Sequence, residues 1–362
     1  MTTSAQNPEI AASALTATDA VIDYPARDMT ITVGANMAFS RLQQILQQEA
    51  QTLPIDANSN LATVGELVLQ DHCGPRQYGY GTLRDYVIGI AARDGHGRQF
   101  HAGGRVVKNV AGYDLCRLLT GSNGSLGQLL HVTFKVRPLP ATQQLIIAGF
   151  RSLQNLDKAL SILNTTATTP IILDVAGKPA LPALLDPHTL LPNCSATHLD
   201  NAAVLLIGFD GPAEACQWQV STVTEELRDL TAWIQTELPA DAVQQWLHIS
   251  RQHSTPTAKP EWLAAVTIPP SQVCAVIDAM NRLHCCTFGR AGNGRLWCWP
   301  APANEQQPAT EELTGISALQ QLVGDGPGSL RVLHARNATS SSSHSTAVRT
   351  YTARLQQALG TS

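Results

Sequence analysis

The stretch that decides the fold is ATVGELVLQDHCGPRQYGYGTLRDYVIG, residues 62–89, continued by GGRVVKNVAGYDLCRLLTGSNGSLG, residues 103–127. Glycines stand at 65, 74, 79, 81, 103, 104, 112, 121, 124 and 127, with proline and isolated charges between them. A backbone without Cβ atoms lets N–H groups approach a ligand closely, which is how a chain cradles paired phosphates without a Rossmann turn. The pattern Gly-x-Gly-x-x-Gly is not part of it. Taken alone, the same glycines read equally well as tight turns.

Outward from this stretch, the period of the apolar residues organises the chain. Ordered structure is expected from about Val21, with a strand over Met29 to Val33. Phe39, Leu42, Ile45 and Leu46 recur at helical spacing and predict an amphipathic helix ending before Leu53-Pro54. Tyr86 to Arg93 and Gln99 to Ala102 read as strands joined at Asp94-Gly95-His96-Gly97, a hairpin sequence. A short helix near Tyr113 to Leu119 follows. Val132, Phe134 and Val136 alternate with polar residues, a half-buried strand that stops at Pro138. Pro138-Leu139-Pro140 is the expected domain boundary, because proline stiffens a linker and cannot continue a central strand.

Beyond it the pattern changes to strand, helix, strand. Leu145 to Phe150, a helix through Leu153, Leu156, Leu160 and Leu163, and Ile171 to Val175 form one such unit. Val204 to Phe209 with a helix from Pro212, and Trp262 to Ile268 with a helix from Ser271 to Leu283, repeat it. That order predicts an α+β domain with helices on one face of a sheet. The expected organisation is residues 1–20 irregular, 21–137 a first α+β domain, 141–335 a second, 339–346 a polar linker and 348–359 a terminal helix.

Composition narrows the classes. The chain has 362 residues, 44% hydrophobic and 14% charged, with 24 basic and 28 acidic side chains and a net charge of −4. It can bury a core, and no basic stripe marks it for nucleic acid. No apolar run is long enough for a membrane span, and the polar start lacks a signal peptide's features, so the expected location is cytoplasmic. The eight cysteines form no CxxC pair, so buried free thiols are expected rather than disulfides or a metal site. His284-Cys285-Cys286 with Cys298 is a weaker reading as a metal site, since it lacks a chelating gap, and Asp71-His72-Cys73 is a weaker reading as a reactive trio, since sequence neighbours point apart in strands and helices.

Three sets of residues carry a family resemblance: Tyr24-Pro25-Ala26-Arg27-Asp28-Met29; Gly74-Pro75-Arg76 with Tyr80-Gly81 and Arg84-Asp85; and Lys108-Asn109-Val110-Ala111-Gly112-Tyr113-Asp114. Over about residues 20–140 the chain resembles the PCMH-type FAD-binding domain of the vanillyl-alcohol oxidase and p-cresol methylhydroxylase superfamily. Within it, the chain looks like the smaller, E-type FAD-domain subunits of bacterial glycolate oxidases. The resemblance implies a PCMH-type domain lacking its first subdomain, followed by an α+β cap. It implies non-covalent FAD, with Thr63 to Gly65 and Gly74, Pro75 and Arg76 facing the pyrophosphate and isoalloxazine. Val87 to Gly89 and Gly124 to Gly127 would hold the adenosine half, with Lys108 and Asn109 nearby. The implied partners are a catalytic FAD subunit and an iron–sulfur subunit of a glycolate-oxidising complex, with any membrane association only through that complex.

The departures from the family weaken the cofactor site. Where relatives carry a first Gly-rich phosphate loop, residues 1–20 contain no glycine. The second loop reads Thr63-Val64-Gly65-Glu66 instead of Thr-x-Gly-Gly, placing a carboxylate where phosphate charge is expected. At about 4 Å two like charges cost roughly 1 to 4 kcal/mol near a surface, so Glu66 must turn away, be neutralised or weaken binding. The family's closing Asp-Pro-x-Gly segment has no counterpart at 358–362. The cap motif His-x-Gly-Asp-Gly-Asn-x-His is approached only by Arg290-Ala291-Gly292-Asn293-Gly294-Arg295-Leu296-Trp297, in which neither imidazole position is a histidine. Arginine is no base at neutral pH and the indole has no lone pair to offer, so no catalytic residue and no metal ligand is assigned. Two readings follow: an FAD-binding accessory subunit with weak or absent cofactor, and a flavin-free docking subunit of the same complex.

Overall fold

The computed structural model describes residues 18–57, 62–104, 113–184, 196–254, 260–302, 312–324 and 328–335. The expected linker at 339–346 and the terminal helix at 348–359 lie outside the described residues, as do residues 1–17. The chain divides into two compact units. The first contains the described residues up to His72 and Thr82–Leu139, and the second contains Cys73–Gly81 and the described residues from Pro140 to Ala335. The main crossing falls at the Leu139–Pro140 bond, inside the proline cluster. The excursion of Cys73–Gly81 into the second unit has no signature in the sequence.

In the first unit the elements are β1 (Val21–Asp23), β2 (Thr30–Gly34), α1 (Phe39–Gln48), β3 (Gln51–Thr52), α2 (Val64–Gln70), β4 (Val87–Arg93), β5 (Gln99–Gly103), α4 (Leu115–Leu119), β6 (Gln128–Lys135) and β7 (Arg137–Pro138). The helix α3 (Gln77–Tyr80) lies in the second unit. An antiparallel five-stranded sheet runs β1-β2-β6-β4-β5. Ile31, Val33, Val132 and Phe134 alternate into its fully buried side, and α2 packs on β6. Met29 is not part of β2: it takes a left-handed backbone, φ 54°, closing the turn at Ala26–Asp28. Pro138 does not end the pairing either, since it lies opposite Gln51 in the two-residue ribbon β3–β7.

The second unit adds β8 (Thr142–Phe150), α5 (Leu153–Leu163), β9 (Ile172–Gly177), α6 (Leu181–Leu184), α7 (Ala196–Leu199), β10 (Ala203–Gly211), α8 (Ala213–Leu227), β11 (Trp233–Gln235), α9 (Ala242–Ser254), β12 (Trp262–Thr267), α10 (Val273–Arg282), β13 (Cys285–Arg290), β14 (Arg295–Pro300), α11 (Glu312–Val323) and β15 (Ser329–Ala335). One eight-stranded sheet runs β11-β8-β10-β9-β13-β14-β12-β15.

The expectation of helices on one face is corrected here. Leu173, Val175, Leu205 and Ile207 pack with α5, α8 and α10 on one side, whereas Ile172, Val204 and Leu206 pack with Trp246 and Leu247 of α9 on the other. The physical reason is in the strands themselves. β8, β9 and β10 are apolar at successive residues rather than alternate ones, so both faces need cover.

Candidate functional site

Thr63 is the N-cap of α2, extended at φ −81° and ψ 158°. Its hydroxyl accepts from the Glu66 N–H at 3.3 Å, and the Glu66 carboxylate accepts from the Thr63 N–H at 2.9 Å. This is a reciprocal capping box. The Val64 N–H donates to the Met37 carbonyl and the Gly65 N–H to the Ala35 carbonyl, each at 2.8 Å. All four leading donors of the helix are thus engaged within the first unit. The Glu66 carboxylate folds back over the N-terminus of its own helix, where it occupies the Thr63 N–H. Gly65 sits in a tight place, since a Cβ there would lie 3.0 Å from both the Cβ and the carbonyl oxygen of Ala35.

The turn holding Gly124 and Gly127 is fixed at the other end of α2. Gly121 N–H donates to Val68 and Asn123 N–H to Leu69. Gly121, Asn123, Gly124 and Gly127 all have positive φ. Arg84 ties this corner together, donating to the Thr120 carbonyl at 2.9 Å and pairing with Asp71 at 3.7 Å.

Val87 and Gly89 open β4, whereas a Cβ on Gly127 would lie 2.5 Å from the carbonyl oxygen of Arg93, the last residue of that strand. At about 3.3 Å per residue, roughly 13 to 20 Å of strand separates the two groups, so the first unit does not bring them together. Around Gly89 the sheet face is small and polar. Thr32 and Thr133 share a hydroxyl hydrogen bond of 2.9 Å, and His131 and His101 each stand opposite Ala91. Burial and the neighbouring His101 hold the His131 imidazole below its ordinary value.

Gly74, Pro75 and Arg76 lie in the second unit, with Arg76 8% exposed. Their segment is pinned there by three contacts. Gly79 N–H donates to the Ile171 carbonyl, Tyr80 Oη donates to Asp210 at 2.5 Å, and Tyr78 Oη donates to Asn164 at 3.4 Å. Lys108 and Asn109 fall outside the described residues.

The β13–β14 hairpin carries Arg290 through Trp297. Gly292 lies under Tyr78, and a Cβ at that position would meet the ring at 2.2 Å. Gly294 has φ +67° and no room for a Cβ beside the Ile268 carbonyl. The Gly-Asn-Gly sequence therefore answers to turn and packing geometry.

Arg290, 3% exposed, donates to Asp174 and to Ser250 Oγ, each at 2.9 Å, and Trp246 Nε1 donates to the same Asp174 oxygen at 2.8 Å. Its guanidinium lies over Phe288 and Trp297 at 5.5 and 5.2 Å. Asp174, Trp246 and Ser250 escaped the sequence reading. The available signal was the lone aspartate in the apolar run of β9 and the lone arginine ending β13, which face each other in register.

Burial pushes the thiols of Cys286 and Cys298 up to about 12, so both are neutral. Among the described residues no group of three or more His, Cys, Asp or Glu side chains is arranged to hold a metal ion, and no helix is long and apolar enough to cross a membrane.

Residues 9–103 match the family model described as FAD binding domain. Glycolate oxidase subunit GlcD of Bacillus subtilis is 28% identical over 288 residues, covering 76% of this chain and 60% of the relative. Glycolate oxidase subunit GlcE of Escherichia coli is 36% identical over 122 residues, 33% of this chain and 35% of the relative. The D-lactate dehydrogenase of Archaeoglobus fulgidus is 27% identical over 134 residues, 37% of this chain and 30% of the relative. The chain thus spans at most about 60% of the length of these relatives.

Among solved structures, an alkyldihydroxyacetonephosphate synthase superposes with a TM-score of 0.68 at 14% identity, over 94% of this chain and 64% of that one. p-Cresol methylhydroxylase with substrate bound gives 0.59 at 15% identity, over 84% of this chain and 68% of that one. These likenesses show the fold, a mixed helix-and-sheet chain with a PCMH-type FAD-binding domain.

Proposed function

We propose that this chain is an accessory FAD-domain subunit of a 2-hydroxy acid oxidising complex of the glycolate oxidase type, of the smaller E-type, acting beside a catalytic flavin subunit and an iron–sulfur subunit. Similarity to two glycolate oxidase subunits and to a D-lactate dehydrogenase supports the substrate class. The observation that carries the accessory role is the state of Arg290. A base that takes a proton from a substrate hydroxyl must be accessible and must have a lone pair. Arg290 has no lone pair and is buried against Asp174 and Ser250, while Trp297 packs beneath it.

FAD bound to this chain would supply hydride acceptance. The residues present do not form a full phosphate cradle at Thr63–Gly65, because the backbone donors there are committed internally. That commitment supports weak binding, and we read the cofactor as non-covalently held. Each charge-assisted hydrogen bond not made forfeits roughly 1.5 to 3 kcal/mol, so the absence of two or three takes a nanomolar site to micromolar or weaker.

The same observation favours a second reading, a flavin-free docking subunit of such a complex. The experiment is a flavin titration of the purified chain alongside Glu66→Gly, followed by addition of glycolate. Weak FAD binding that tightens in the variant, with no flavin bleaching by glycolate, supports the first reading. No binding in either protein supports the second. Stoichiometric FAD retained through dialysis and bleached at an enzymatic rate by the chain alone overturns both.

A further inference from the structure

We propose that the first unit carries a binding cavity for a small carboxylic acid with an apolar body, bordering the Gly124–Gly127 turn through Leu126. The cavity, of about 380 Å³, opens between β5 and α4. Leu115, Leu118 and Leu119 lie at positions i, i+3 and i+4 of α4 and so share one helix face. Phe100 and Leu126 complete the apolar wall. Leu119 and Leu126 are 2% and 5% exposed and form the floor, while Leu118, 37% exposed, stands at the mouth.

The polar edge is built from Asp94, Arg98 and Gln99. One Asp94 oxygen accepts from the N–H groups of His96 and Arg98 at 3.0 and 2.9 Å, and the other accepts from Arg98 Nε at 2.7 Å. The aspartate is consumed, and it fixes the guanidinium through Nε alone. Among the described residues no hydrogen bond engages the two terminal nitrogens of Arg98, whose side chain is 68% exposed.

A guanidinium held in this way presents its remaining donors as a fork, the geometry that takes a carboxylate through both oxygens. A cationic head group would instead meet Arg98. A polar body would leave its own groups unpaired against four leucines and a phenylalanine. The volume is at the small end for ligand cavities, which suits a chain of about eight carbons or one aryl ring and is too little for a dinucleotide.

Octanoate is the probe, with octan-1-ol as its uncharged counterpart, titrated into the full chain by calorimetry and by saturation-transfer NMR. Saturable octanoate binding is expected, about tenfold tighter than octanol. Arg98→Gln should weaken octanoate about tenfold and leave octanol unchanged, with Arg98→Lys intermediate because a point charge replaces the fork. Leu118→Asp should abolish binding of both. Both positions are exposed, so unchanged thermal melting shows that each variant is folded. Non-saturable binding, or octanoate affinity indifferent to both Arg98→Gln and Leu118→Asp, overturns the proposal. So does displacement of octanoate by FAD with the same dependence on Arg98, since the cavity is then a cofactor subsite.

Discussion

Asp174→Ala tests whether the second unit's hairpin is structural. The substitution leaves Arg290 charged, 3% exposed and without its carboxylate, and it removes the acceptor of the Trp246 indole. Breaking one side of a buried ion pair destabilises by about 3 to 5 kcal/mol. A buried donor left unmade adds roughly 1 to 3 kcal/mol, for a total near 4 to 8 kcal/mol. For a unit of about 200 residues each kcal/mol moves the melting midpoint roughly 2 to 4 °C, so a fall of roughly 8 to 30 °C is expected in the transition of the second unit. Scanning calorimetry reads it directly. The double variant Asp174→Leu with Arg290→Met removes both charges and should recover most of the loss, because a buried pair contributes little over a well-packed apolar replacement. A single variant melting within 2 °C of the parent, or a double variant no better than the single, would refute the reasoning.

Gly292→Ala places a Cβ 2.2 Å from the Tyr78 ring, so Tyr78 must leave, and limited proteolysis by chymotrypsin should gain a cut after Tyr78 or Tyr80. Thr63→Ala opens the capping box of α2 and should destabilise the first unit by about 0.5 to 2 kcal/mol in urea, with no change in the second. Because Cys286 and Cys298 are held neutral up to about 12, iodoacetamide at pH 8 should leave both unlabelled in the native chain and modify them only on unfolding, as peptide mapping would show.

The first unit was legible because its signals are local. The helical spacing of Phe39 to Leu46, the hairpin sequence Asp94 to Gly97 and the alternation at Val132 to Val136 each specify an element without help from distant residues. The second unit concealed its architecture for a physical reason. Continuous apolar runs in β8 to β10 do not say which face is covered, and α9, with Trp246 reaching Asp174, lies far along the chain from the strands it covers. The site was the least legible part. Arg290 looked like a vacant catalytic position because its partners, Asp174 and Ser250, are 116 and 40 residues away, and nothing local announces a buried ion pair.

Glycine was the hardest residue to read, and the space around each one separates its uses. A Cβ would strike the Arg93 carbonyl from Gly127 and would crowd Ala35 from Gly65 and Thr133 from Gly89, and Gly121 and Gly124 need positive φ. The fold itself accounts for these. Gly104 is different: it has no positive φ, and among the described residues a Cβ there meets nothing within 4 Å. Its N–H donates to the Ile88 carbonyl, which places it beside Gly89, on the polar side of the sheet. Among the described residues neither packing nor backbone strain requires glycine there, so Gly104→Ala should keep or raise stability, by up to about 1 kcal/mol through a stiffer unfolded chain. If close approach of a flavin is what the position serves, the same variant should weaken FAD binding in the titration while its melting midpoint stays level or rises. An alanine variant that melts lower than the parent would show a packing role instead, and one with unchanged stability and unchanged flavin affinity would remove this face of the sheet from the candidate site.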